Sequence, residues 1–66
     1  MNKSFTEYVN GIRISESERL LVTTNKSITD IALDVGFSTT SYFIERFKKQ
    51  IHLTPKQFRK NYRIKP

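Results

Sequence analysis

The sequence predicts a small all-α domain, and three observations carry that prediction. No stretch keeps the apolar–polar alternation of a strand, and there is no internal repeat or low-complexity run. Apolar residues recur instead at three- and four-residue spacings. Of the two Gly and two Pro, all but Gly11 fall where a helix should stop or start. With 66 residues the chain makes at most one domain. A chain of that size buries only about 60% of the surface its unfolded form exposes. It has no Cys, so neither a disulfide nor a thiolate metal site can supplement the core, and five Phe and three Tyr supply its bulk.

Four helices are predicted. The first covers about 5–23, with Ser4 as N-cap and Glu7 completing a capping box. Gly11 inside it costs about 1 kcal/mol relative to Ala, so tertiary packing has to hold this helix. Phe5, Tyr8, Val9 and Ile12 form one apolar stripe. Ser17, Leu20 and Leu21 form a second, turned by roughly a third of a revolution. A helix that serves one core keeps one stripe. The offset fits either a helix packed against different bodies at its two ends, or irregular packing within one core. Asn25-Lys26 breaks the helix. Ser27 caps a short second helix, about 28–35, with Asp30 in its first turn and Gly36 as a left-handed residue at its end. Ser38 is the expected cap of a third helix, about 39–51. Thr54 caps a fourth, with Pro55 at its first position.

The net charge of +6 is unevenly placed. Residues 1–45 carry Lys3, Arg13, Arg19 and Lys26 against Glu7, Glu16, Glu18, Asp30, Asp34 and Glu45. Residues 46–66 carry Arg46, Lys48, Lys49, Lys56, Arg59, Lys60, Arg63 and Lys65 with no acid. Such a block suits a polyanion, because neutralising phosphates releases condensed counterions. A solvated basic face or a basic tail is the competing explanation.

Residues 28–47 have the internal logic of a DNA-reading helix pair. Ala32 is small where two helices cross closely, and Gly36 follows four residues later where the turn needs φ > 0. Ile31, Val35, Phe37, Tyr42, Phe43 and Phe47 supply a shared core. With Phe43 and Phe47 facing inward, the third helix presents Ser41, Glu45 and Lys48 outward, flanked by Ile44, with Thr40 at its N-terminal rim. A recognition helix sets such positions against base edges in the major groove. Thr40, Ser41, Ile44 and Glu45 are therefore the candidate base readers. An exposed Ile44 meets a thymine methyl, and Glu45 accepts from cytosine N4. The competing role for Glu45 is an ion pair with Lys48 or Lys49. Ser38, Lys48, Lys49, Thr54 and Lys56 are the candidate phosphate contacts, which position the protein without specifying sequence.

These residues resemble the DNA-binding domain of AraC/XylS-type transcriptional regulators. The resemblance runs through Ser4-Phe5-Thr6-Glu7-Tyr8-Val9, Arg13-Ile14, Leu20-Leu21 and Ser27-Ile28-Thr29-Asp30-Ile31-Ala32. It continues through Val35-Gly36-Phe37-Ser38, Ser41-Tyr42-Phe43, Phe47-Lys48-Lys49 and Thr54-Pro55-Lys56-Gln57-Phe58-Arg59, and so covers nearly the whole chain. In that family two helix-turn-helix units are joined by a long helix. The resemblance is to the joining helix, 1–24, and the second unit, 25–66. It implies an all-α, homeodomain-like helix-turn-helix bundle preceded by a long linker helix, with the family's first unit absent from an excised or naturally short chain. On that basis Phe5, Tyr8, Val9 and Ile12 face the other unit. It implies double-stranded promoter or operator DNA as partner, RNA polymerase as a further candidate, and neither cofactor nor small-molecule effector in this stretch. One groove contact alone implies weak affinity, roughly 10⁻⁴ to 10⁻⁶ M. Two residues depart from the family pattern: Ser17 stands where a small apolar Ala is usual, and Glu45 where an Arg is frequent.

Other function classes are poorly supplied. One His and no Cys leave no nucleophile–base pair, and His52 reads as a surface residue after the third helix, so no enzyme is expected. No phosphate-cradling Gly-rich loop and no aromatic platform for RNA bases is evident. There is no signal peptide and no apolar run near eighteen residues, which points to a cytoplasmic protein without a membrane partner. The alternative function is a helical interaction module that docks a partner through Phe5, Tyr8, Val9 and Ile12. Binding to DNA weakens steeply with salt, whereas apolar docking does not.

Overall fold

Ser4 opens the first helix, α1 (Phe5–Thr23), with the predicted capping box: Ser4 Oγ accepts from Glu7 N and Glu7 Oε1 from Ser4 N, both at 3.1 Å. The computed structural model describes residues 4–63, which form four helices and no strand. Met1, Lys3 and Lys65, and with them the ends of the predicted segments 1–24 and 25–66, lie outside the described residues. One line of side chains along α1 is buried: Asn10, Ile14, Ser17 and Leu21. The stripe of Phe5, Tyr8 and Ile12 lies off that line and is 81%, 61% and 53% exposed, with Val9 half-buried. Irregular packing within one core is therefore not the reason for the offset. One stripe of α1 is in the core and the other is on the surface.

Ser17 sits inside this core without leaving an orphaned group, because its Oγ donates to Ile14 O at 2.6 Å. Gly11 has no such structural justification. A Cβ there meets only Gln50 Oε1 at 3.8 Å, an ordinary contact. Gly11→Ala is accordingly expected to stabilise the protein by about 0.5–1 kcal/mol, read as a rise in thermal midpoint of about 3–8 °C. A fall in midpoint would mean that this helical position tolerates no side chain.

Ser27 caps α2 (Ile28–Asp34), its Oγ accepting from Asp30 N at 3.0 Å. The helix ends one residue earlier than predicted, with Val35 as C-cap and Gly36 following at φ +106°. Phe37 N donates to Ala32 O at 2.9 Å and Gly36 N to Leu33 O at 3.1 Å. That pair of bonds defines a Schellman turn, which needs a left-handed residue at the Gly36 position. The turn reverses the chain and drops the Phe37 ring into the core.

The predicted cap at Ser38 is not found. Thr39 caps α3 (Thr40–Ile51), its Oγ1 accepting from Tyr42 N at 3.1 Å, and Ser38 is exposed. Ser38, Thr39 and Thr40 all carry hydroxyls suited to capping, so propensity does not choose among them. The choice follows from the turn, which takes Ser38 to seat Phe37 and leaves Thr39 as the extended residue, φ −136° and ψ 149°, at the helix entrance. His52 closes α3 in the left-handed region at φ 69°, its N–H donating to Lys48 O at 2.8 Å. Thr54 caps α4 (Pro55–Tyr62) as predicted and makes a full capping box with Gln57.

Helix α1 packs on the other three, α2 on α3, and α3 on α4. Ile14, Leu21, Ile31, Ala32, Phe37, Phe43 and Phe47 close the core, and a row of rings runs from Phe37 through Phe43 and Phe47 to Phe58 at centroid spacings of 5.3, 5.8 and 5.6 Å. Two predicted core members sit at the edge: Val35 is half-buried and Tyr42 is 39% exposed. A buried phenol needs a partner for its hydroxyl. Tyr42 finds one at the rim, where its Oη accepts from Asn10 Nδ2 at 2.9 Å while its ring edge meets Phe37.

Candidate nucleic-acid interface

Amphipathicity decides what α3 can present. Phe43 and Phe47, four residues apart, are fully buried, which turns Ser41, Glu45 and Lys48 outward along one stripe, and all three are exposed. Lys49 and Gln50 are exposed beside them. Ile44, expected exposed, is half-buried and packs against the core, because it directly follows Phe43 and lies three residues before Phe47, on the flank of the buried face. Only the remainder of Ile44 faces outward. Thr40 is half-buried at the N-terminal rim, its hydroxyl hydrogen-bonded to that of Thr29 on α2 at 3.2 Å.

The ion pair that competed for Glu45 does not form. Among the described residues the Glu45 carboxylate has neither a hydrogen bond nor an ion pair, and the lysines three and four residues on leave it free. An unpaired carboxylate on a surface rich in Lys is available to accept from an amine. Its like charge also discourages approach of phosphate at that point.

Two cations of the first part of the chain are matched locally by acids. Arg19 pairs with Glu16, and Lys26 pairs with Asp34. The Asp34 carboxylate holds the Lys26 ammonium above its ordinary pKa, through its hydrogen bond first and its charge second. Residues 46–63 contain seven cations and no acid. Lys48, Lys49, Lys56 and Lys60 are exposed there, and Arg46 and Arg63 are half-buried.

Arg59 belongs to this block in sequence but not in role. Its Nε donates to Leu21 O at 2.9 Å and its Nη2 to Thr24 O at 3.2 Å, so α4 closes the C-terminal carbonyls of α1. Burial, and then the nearby charge of Arg63, lower its pKa from the ordinary guanidinium value. Thr54 is likewise occupied, its Oγ1 and N–H both tied to Gln57. Pro55 has no N–H to offer, which leaves Lys56 as the polar group that the start of α4 presents.

The structure thus brings Ser41, Glu45, Lys48 and Lys49 onto one helix face and puts Ser38 and Thr40 near its entrance. Sequence reasoning misses four tertiary contacts: Asn10 to Tyr42, Thr40 to Thr29, Arg59 to the end of α1, and the Arg13 guanidinium lying 6.0 Å from the ring centroid of Phe37 in the turn. One had a signal. Asn10 lies four residues before Ile14 and seven before Ser17, on the buried line, and a polar residue there calls for a partner. Among the described residues no cluster of acidic, His or Cys side chains suits a metal ion, and no helix is long and apolar enough to cross a membrane.

Comparison with known proteins agrees with this architecture. The family described as "Helix-turn-helix domain" matches residues 1–61. The bifunctional transcriptional activator/DNA repair enzyme AdaA of Bacillus subtilis is 41% identical over 56 residues, covering 85% of this chain and 26% of that protein. The melibiose operon regulatory protein of Escherichia coli is 40% identical over 60 residues, covering 91% of this chain and 20% of its own. Among solved structures, the C-terminal domain of the two-component response regulator yesN from Fusobacterium nucleatum superposes with a TM-score of 0.82 at 40% identity. That match covers 86% of this chain and 55% of the solved one. The chain thus spans about a third or less of the curated relatives it matches. It belongs to the AraC-type helix-turn-helix family, whose members here are DNA-binding transcriptional regulators.

Proposed function

We propose that the chain reads double-stranded promoter or operator DNA in the cytoplasm by laying α3 in the major groove. The observation that carries this reading is the outward face of α3, where Ser41, the unpaired Glu45 and Lys48 line up opposite the buried Phe43 and Phe47. Thr40, Ser41, the exposed part of Ile44 and Glu45 contact base edges. Ser38, Lys48, Lys49 and Lys56 contact phosphates, with Thr54 contributing through the helix start it caps. No catalytic step is assigned to this stretch. RNA polymerase is a further partner of the whole regulator.

Selection of duplexes from a random-sequence pool tests the base reading. Glu45 should enrich cytosine at one position, and Glu45→Gln should reduce that enrichment about tenfold, the value of a good polar base contact. Lys49→Ala should instead weaken every duplex to a similar degree. An unchanged base profile for Glu45→Gln removes Glu45 from the groove.

A second reading concerns the exposed Phe5, Tyr8 and Ile12 side chains. They form an apolar surface, flanked by shallow grooves, that a lone domain rarely leaves to solvent. We propose that the family's other helix-turn-helix unit packs there. Residues 5–23 then act as a linker helix and 28–62 as one reading unit of a pair.

A further inference from the structure

Arg13, Arg19 and Lys26 are the described cations that precede Arg46. Arg19 is held by Glu16 and Lys26 by Asp34. Arg13 has neither an ion pair nor a hydrogen bond among the described residues. Packing sets its place instead. The guanidinium carbon lies 6.0 Å from the centre of the Phe37 ring, at the range of a cation–π contact. Gly36 gives it room, since a Cβ there would stand 2.9 Å from Arg13 Nε and 3.2 Å from Cζ. The turn between α2 and α3 therefore carries an arginine of α1 on its flank.

A guanidinium is a planar fork of N–H donors with no acceptor. Half-buried, Arg13 gives up part of its water without gaining a carboxylate or carbonyl in return. The carboxylate closest to the turn in sequence, that of Asp34, is taken by Lys26. Ser38, two residues after Gly36, is exposed, and its hydroxyl is uncommitted because Thr39 is the cap. Unspent donors of both kinds thus flank the entrance of α3. Phosphate oxygens accept from either, and the flat fork of an arginine suits them geometrically.

We propose that Arg13 is a phosphate contact: its guanidinium, held beside the turn by Phe37 and by the space at Gly36, binds the DNA backbone at the entrance of α3. This rests on the reading above in which α3 lies in the major groove. The contact lies outside the basic block of residues 46–63. It adds its own increment of about 0.9 to the salt dependence that Lys48, Lys49 and Lys56 set. It carries no base preference, because a phosphate contact positions the protein without specifying sequence.

The test is the affinity of the 66-residue chain for a labelled duplex between 50 and 200 mM salt. Wild type is compared with Arg13→Gln, Arg13→Met, Arg13→Lys, Arg19→Gln and Lys49→Gln. Thermal melts check folding, and Arg13→Met, which keeps the apolar stem, serves if Arg13→Gln does not fold. Both neutral variants should bind roughly tenfold more weakly at 50 mM, the low end for a hydrogen bond to a charged group. Their slope of log affinity against log salt should be shallower by about 0.9. Arg13→Lys should keep the slope, and so should Arg19→Gln, which removes the same charge from a paired position on α1. If the neutral Arg13 variants keep the wild-type slope while Lys49→Gln makes it shallower, Arg13 only packs on the turn and the groove reading stands. If Lys49→Gln also leaves the slope unchanged, the groove reading and the Arg13 contact fall together.

Discussion

Phe43→Ala is expected to remove most of the protein's stability. The side chain is fully buried, its ring 5.3 Å from that of Phe37 and 5.8 Å from that of Phe47, at the centre of the aromatic row that joins the turn to α4. Truncating a buried Phe costs about 3–5 kcal/mol, from lost transfer free energy and the cavity left behind. A domain of this size has roughly 3–10 kcal/mol in total. Circular dichroism melts should therefore show the midpoint lowered by about 15 °C or more, or no cooperative transition at all. A loss under 5 °C would place Phe43 outside the core and undo the assignment of the outward face of α3, which is defined by the direction Phe43 and Phe47 take.

Reversing both charges in Lys48→Glu/Lys49→Glu should lower duplex affinity by about a hundredfold or more at low salt. Both side chains are exposed in the last turn of α3 without a carboxylate partner among the described residues. Each reversed contact removes a released counterion and adds a repulsion between carboxylate and phosphate. The two lysines also face the negative end of the α3 dipole, so reversal weakens the helix end by about 0.3–1 kcal/mol per charge. Lys48→Gln/Lys49→Gln separates the effects, since it loses the contacts without the repulsion. Fluorescence anisotropy with a labelled duplex should rank wild type above the Gln pair and the Gln pair above the Glu pair. Equal affinity for all three would mean that this end of α3 does not approach DNA.

How much of this was legible beforehand depends on how local the cause is. Ser4 with Glu7, Ser27 with Asp30 and Thr54 with Pro55 act within one turn of chain, and their caps are found where predicted. Gly36 was legible for the same reason. Its left-handed φ is a demand of the turn itself. The cap of α3 lies one residue beyond the predicted Ser38, because three hydroxyls in a row satisfy the local rule equally and the seating of Phe37 decides among them. The offset stripes of α1 were visible in the periodicity, but the pattern did not say which would be exposed. That depends on where α2, α3 and α4 pack.

The candidate site divides in the same way. Helical phase alone turned Ser41, Glu45 and Lys48 outward, and they are exposed. Whether Glu45 was paired with Lys48 or Lys49 turned on side-chain conformation, which spacing does not fix, and it is unpaired. Ile44 lies next to the outward stripe, which predicts exposure, yet it shares a flank with Phe43 and Phe47 and is half-buried. Arg59 belongs to the basic block by charge, yet it bonds Leu21 O across 38 residues of sequence. A charge sum cannot reveal that.

The most direct test of DNA reading by α3 is the affinity of the wild-type chain for duplex DNA between 50 and 200 mM salt. If Lys48, Lys49 and Lys56 each neutralise a phosphate, log affinity falls with log salt at a slope near −2.7, which is about a fortyfold loss over that range. A slope near zero, or no binding to any duplex at 50 mM, would contradict it and leave the apolar face of α1 as the chain's binding surface.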